Sequence, residues 1–310
     1  MKVLQLLPTL AMGDAIGNDV RALEKVIRGM GYQTGIYAEV IDGRLPEGTA
    51  QQVEKMPRLS GEDVILYHMS TGSELNFSLE KYPCRKLMVF HNITPPRFFK
   101  GYNDAAMESA EYGMRGLCHL ADKVDGCMAD SAYNGDILRE LNYRCPITVR
   151  PILIPFADYA KEPDASVMEH YKDDGYTNFI FVGRVAPNKK QEDVIRAFYC
   201  YKKYCNPKSR LFIVGSYNGM ERYYHRLRRY VGALELDNVV FTGHIPFAQI
   251  LAYYHLADLF LCMSDHEGFC VPLVEAMYFN LPILAYDSSA ISDTLGAVSY
   301  THLRAHETCA

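Results

Sequence analysis

The feature that most constrains this chain is an alternation that starts twice. Short apolar or β-branched runs at residues 3–7, 34–38, 64–67, 86–90 and 126–129 are separated by longer stretches with helical spacing. The same grammar restarts at 178–182 and recurs at 210–214, 238–241, 258–263 and 282–286. Strand-then-helix alternation implies parallel sheets with helices on both faces. Between the two series, Pro151, Pro155 and Pro163 break any helical pattern, which places a linker there. The expected organisation is a first α/β domain over 1–155, a linker and approach over 156–176, a second α/β domain over 177–296, and an atypical tail over 297–310.

A length of 310 residues exceeds what one hydrophobic core usually organises, so two cores agree with the double start. The net charge of -5 and the absence of a long Lys/Arg run exclude the basic footprint of a nucleic-acid binder. The N-terminal apolar run is interrupted by Gln5 and is too short for a signal-peptide core. No stretch approaches the roughly 18 apolar residues of a membrane span. Nine scattered cysteines without a C-x-x-C pair suit reduced thiols, and the expected location is the cytoplasm.

In open parallel sheets ligands sit outside the carboxyl ends of the strands, so chemistry is expected just after them. After the run 178–182 come Gly183, Arg184 and, on the same loop, Lys189, before a helix over 191–204 with Val194, Ile195, Phe198 and Tyr201 as its apolar stripe and Asn188 as N-cap. Two cations at a helix start favour an anion. The plain alternative is a strand–loop–helix junction with two solvated charges. After the run 258–263 come Glu267, Gly268, Phe269, Cys270 and Val271, then Pro272, suited to a first helical turn, and Glu275. The amides of Phe269, Cys270 and Val271 are able to meet phosphate oxygens, and a glutamate accepts from vicinal sugar hydroxyls.

Gly183, Arg184 and Lys189, taken with Glu267, Gly268, Phe269 and a second glutamate eight residues later, resemble the retaining glycosyltransferases of family 4. The resemblance covers roughly residues 1–296 and implies the GT-B fold, two facing Rossmann-like domains. It implies a nucleotide-sugar donor, UDP- or GDP-linked, a saccharide or lipid-linked acceptor, a place in polysaccharide biosynthesis, and no cofactor or metal. By the same resemblance Arg184 and Lys189 grip the donor diphosphate, Glu275 bonds the nucleotide ribose, and Glu267 lies near the transferred sugar. Gly268 to Val271 would meet sugar and phosphate. Gly13, Asp14 and Gly17 correspond to the family's glycine-rich loop, without its usual double glycine. His91 matches the histidine that reaches the donor sugar from the opposite domain; His68 lacks a match and reads as structural or cleft-lining.

Three further expectations follow. The cluster from Pro95 to Tyr102 reads as a packed loop or as a peripheral contact with an acceptor or the inner face of a membrane. Arg222, Arg226, Arg228 and Arg229 read as a solvated helix face. Residues 297–310 do not continue the family pattern, so the second domain is expected to be incomplete, with a foreign tail. His302 and His306 there lack the glutamate placement of a metalloprotease helix. The competing functions are a nucleotide-sugar epimerase of the same architecture, and a donor-binding protein without turnover.

Overall fold

The computed structural model describes residues 1–296. The described residues form two compact units: Met1–Arg97 with Ala105–Pro155, and Phe98–Asp104 with residues 156–296. The expectations on the 297–310 tail, including His302 and His306, lie outside the described residues.

The first unit is built on seven parallel strands: β1 (Lys2–Leu10), β2 (Gln33–Ile41), β3 (Gln51–Gln52), β4 (Val64–Met69), β5 (Arg85–Phe90), β6 (Gly126–Ala129) and β7 (Ile147–Val149). Their order is β3-β2-β1-β4-β5-β6-β7. Residues 3–8 of β1 are all buried, the near-continuous apolar run that a strand covered on both faces requires. The helix Ala15–Gly29 lays Val20, Leu23 and Ile27 over this sheet at helical spacing. Each such side chain contributes about 1.5–3 kcal/mol on leaving water.

The second unit repeats the scheme with five strands: β8 (Thr177–Val182), β9 (Ser209–Val214), β10 (Val239–Gly243), β11 (Leu259–Cys262) and β12 (Ile283–Ala285), in the order β10-β9-β8-β11-β12. Every residue of β9 is buried. The segment 156–176 carries two short helices, Phe156–Tyr159 and Ala165–Tyr171. The second is capped by Asp164, whose carboxylate accepts from the Val167 amide at 3.0 Å.

In both sheets the first strand stands between the second and fourth of its series, so the winding reverses beside β1 and beside β8. Crevices at such reversals are where open α/β sheets hold ligands. In the second unit the flanking loops are those after β8 and β11, which carry Arg184, Lys189 and Glu267. Among the described residues no helix is long and apolar enough to cross a membrane.

Candidate functional site

Glycines mark the carboxyl ends of three strands of the second sheet. β8 and β9 are each followed by a glycine and β10 ends in one: Gly183 at φ 150°, Gly215 at φ 149° and Gly243 at φ 68°. A Cβ on Gly215 would stand 2.0 Å from the carbonyl oxygen of Gly183. No side chain fits there, and the backbone stays open where the chain turns toward Arg184.

Beyond Gly183 the loop tightens into a 3-10 turn, Pro187–Lys189, and passes through Lys190 in the left-handed region (φ 50°) before the helix Gln191–Tyr204 begins. Asn188 is therefore not the helix N-cap. The intervening turn moves that position to Lys190, which makes no side-chain cap bond. Asn188 is instead buried and joins two loops. Its carboxamide donates to the His266 carbonyl at 3.1 Å, and its own carbonyl accepts from the Asp265 amide at 2.8 Å. Gln191, fully buried, donates to the Arg184 carbonyl at 3.0 Å and fixes the start of the same loop.

With the loops stitched together, Lys189 Nζ lies 2.6 Å from Glu267 Oε2, the carboxylate almost fully buried. Burial works against the lysine charge, but Glu267 outweighs it and holds the ammonium above its ordinary pKa. Arg184 is more exposed and donates to the Asn218 carbonyl at 3.2 Å. The Glu267 amide donates to Ser289 Oγ at 2.8 Å, Ser288 donates to the Ser264 carbonyl and Thr294 to the Phe269 carbonyl. The loop is thus braced by residues following β12.

Cys270 precedes the helix Val271–Tyr278 in the left-handed region (φ 70°), a conformation that costs a non-glycine residue about 1–2 kcal/mol. The cost is borne at a helix start, where amides lack intrahelical partners and favour an anion. One helical turn on, Glu275 accepts from Tyr159 and Tyr254, each at 2.6 Å and each on a different carboxylate oxygen. Burial raises the Glu275 pKa, opposed by the two phenol hydrogen bonds.

Gly13, Asp14, Gly17 and His91 belong to the first unit. Gly13 adopts φ 74°, and a Cβ on Gly17 would meet the Ala11 carbonyl at 2.6 Å, so two distinct requirements select glycine in this loop. Asp14 stands at the N-cap of the helix Ala15–Gly29, and burial raises its pKa against the amides of Gly17, Ile16 and Ala15. His91 offers no free ring nitrogen. Nδ1 lies 2.8 Å from Asp130 Oδ2 and Nε2 lies 2.8 Å from Nδ1 of His68.

The proton positions follow from the far end of this chain of groups. Gln5 donates its amide to the Val20 carbonyl at 2.8 Å, so its oxygen accepts from His68 Nε2 at 3.0 Å. His68 Nδ1 is then bare and accepts from His91 Nε2, which leaves a shared proton between His91 Nδ1 and Asp130. Burial opposes charge on His91, but Asp130 outweighs it and raises the pKa; burial lowers that of His68.

Among the described residues two clusters have the composition of metal ligands: Asp19 with His68 and His91, and Cys262 with Glu267 and Cys270. In each the acid is already in an ion pair, Asp19 with Arg150 at 2.7 Å and Glu267 with Lys189. In the cluster from Pro95 to Tyr102, expected as a packed loop or a contact with an acceptor or a membrane, Phe99 is buried. Tyr102 meets Tyr223 edge-on and bonds Arg226, which is thus tied to this segment, while Arg222, Arg228 and Arg229 are exposed. Sequence reasoning missed Asp130, Gln191, Ser289, Tyr159 and Tyr254; a polar residue just past a predicted strand or at a predicted helix start was the available signal for the first two.

Residues 165–299 match the model of the glycosyl transferases group 1. Over 204 residues the chain is 27% identical to an alpha-monoglucosyldiacylglycerol synthase of Streptococcus pneumoniae, covering 61% of this chain and 44% of that protein. Over 132 residues it is 31% identical to a GDP-mannose-dependent alpha-mannosyltransferase of Mycolicibacterium smegmatis, covering 42% and 31%. The matched part thus spans less than half the length of these relatives. A sucrose-phosphate synthase from Thermosynechococcus elongatus shares the fold at a TM-score of 0.71 and 15% identity, over 94% of this chain and 82% of that one. Anabaena HepE in complex with UDP-glucose does so at 0.69 and 15%, over 94% and 81%. The fold class is the α/β, GT-B type.

Proposed function

We propose, for a chain whose residues 165–299 belong to the glycosyl transferases group 1 family, that it transfers a sugar from a UDP- or GDP-sugar to a saccharide or lipid-linked acceptor. The reading includes retention at the anomeric carbon and no requirement for a divalent metal. The observation that carries it is the Lys189–Glu267 pair, 2.6 Å apart where the winding of the second sheet reverses, beside a strained helix start. A cation, the amides of a helix start and a buried carboxylate in one crevice match a ligand that carries both phosphate and hydroxyl groups.

In this reading Arg184, Lys189 and the amides of Gly268 to Val271 hold the diphosphate. They stabilise the charge that develops as it leaves, the preorganised electrostatic contribution that is often the largest in catalysis. Glu267, pinned by its own amide to Ser289, orients the sugar, and Glu275 takes the ribose hydroxyls. The acceptor attacks from the leaving-group face, with a phosphate oxygen assisting its deprotonation. The relatives' names carry two different donors, GDP-mannose in one and UDP-glucose in a structural neighbour, so both bases are kept.

The test is calorimetric titration with UDP and GDP, followed by transfer assays with the corresponding sugars. Arg184→Ala and Lys189→Ala should each weaken nucleoside diphosphate binding by about 1.5–3 kcal/mol. Glu267→Gln should depress turnover more than affinity. Unchanged binding in the double Arg184/Lys189 variant would remove the diphosphate site. An inverted product, or activity abolished by chelation and restored by Mg²⁺, would remove the mechanism.

A further inference from the structure

Glu275 is held more completely than a ligand-reading carboxylate needs for stability alone. Tyr254, on the helix Phe247–Leu256, is 1% exposed, and its ring stacks on Phe279 at 4.9 Å and 10°. Tyr159, on the helix Phe156–Tyr159, is 5% exposed and meets Phe247 edge-on at 5.3 Å. It also packs against Tyr278 at 5.6 Å. Neither ring is free to turn, so the two hydroxyls approach the carboxylate from fixed directions, at 2.6 Å each.

A carboxylate offers about four lone-pair directions and each phenol donates one proton, so two directions remain. One direction is left on each carboxylate oxygen, since the phenols take Oε1 and Oε2 separately, and a ribose presents two neighbouring hydroxyl donors. We propose that Tyr159 and Tyr254 are positioning residues that orient Glu275 to accept both hydroxyls of a ribose, so that the site discriminates ribonucleotides from deoxyribonucleotides. This rests on the reading of Glu275 as the ribose partner. Tyr159 acts from the segment between the two strand series, 116 positions away in sequence.

The experiment measures binding of UDP, GDP and their 2′,3′-dideoxy forms by calorimetry to the full chain and to Tyr159→Phe, Tyr254→Phe and Glu275→Gln. Pyrophosphate binding serves as a check that the fold and the cationic loop persist. The intact protein should prefer the ribose form by about 10-fold to 100-fold, the size of charge-assisted hydrogen bonds. Each Tyr→Phe change should reduce that preference several-fold while leaving dideoxy and pyrophosphate affinities in place. If Glu275→Gln keeps the full preference, the ribose reading of Glu275 is wrong. If Glu275→Gln abolishes the preference but both phenylalanine variants keep it, or weaken all ligands equally, the tyrosines are only packing and the inference is overturned. Should Tyr254→Phe fail to fold, Tyr159→Phe decides.

Discussion

Asn188 and His266 lie 78 positions apart, yet the carboxamide of one donates to the carbonyl of the other at 3.1 Å, and that bond, with the Asp265 amide, fastens the two loops that flank β8 and β11. Asn188 and His266 each adjoin one member of the Lys189–Glu267 pair. A buried carboxamide with this role carries no charge and touches none of the groups that would meet a phosphate, so its removal separates loop geometry from electrostatics.

Asn188→Ala is expected to lower stability by about 1–3 kcal/mol, the cost of losing a buried hydrogen bond between the loops. Nucleoside diphosphate affinity should fall although Arg184 and Lys189 remain. Thermal melting and calorimetry on the same preparations check both. A variant that melts like the parent and binds like it would mean that the loops hold their positions without this bond.

Gly215→Ala should be more severe, because the added methyl would stand 2.0 Å from the Gly183 carbonyl at a backbone angle that disfavours any side chain. Overpacking of this kind typically costs about 1–3 kcal/mol, and the φ strain adds to it. The expected result is a destabilised second unit and lost nucleotide binding. Gly29→Ala, at a helical position of the first unit where a Cβ meets nothing within 4 Å, is the control: it should raise stability slightly, by about 0.4–1 kcal/mol, and leave nucleotide binding unchanged.

The pair His68 and His91 predicts a stability maximum near pH 6.5. The groups facing His91 are Asp130, Asp19, Arg150, Asp14 and His68. His68 has its folded pKa lowered, so the native state refuses a proton that the unfolded chain takes up, and stability falls as pH drops below about 6.5. His91 has its folded pKa raised, so its contribution is complete below about 6.5 and is lost as pH rises through the higher folded value. Each limb has a limiting slope of about 1.4 kcal/mol per pH unit. Urea unfolding of the full chain between pH 5 and 9 measures both. Asp130→Asn should flatten the alkaline limb; a limb that survives this change would refute the shared-proton arrangement.

The sequence made visible what local pattern encodes. The helix Gln191–Tyr204 was readable to its ends, because Val194, Ile195 and Phe198 form a stripe between a proline turn and a charged stop. The strand β3 was not, since two exposed glutamines at a sheet edge have no apolar signature. Asn188 was misjudged because a left-handed Lys190 leaves no trace in residue type. His68 was set aside as lacking a family match, while the pairing of β4 with β5 puts it beside His91. The two phenols on Glu275 come from segments 116 and 21 positions away, and nothing local to the glutamate announces either.

The excursion of Phe98–Asp104 into the second unit bears on how such a protein can be recombined. Asn103 donates to the Gly219 carbonyl at 2.7 Å, and Tyr102 covers Tyr223, which is wholly buried. A graft cut at Pro155 would therefore transplant an incomplete module, with one aromatic face and one carbonyl suddenly wet. Gene fusions that exchange the second unit between homologues need to carry two pieces of coding sequence, and breakpoints between codons 98 and 104 should be counter-selected in shuffled libraries.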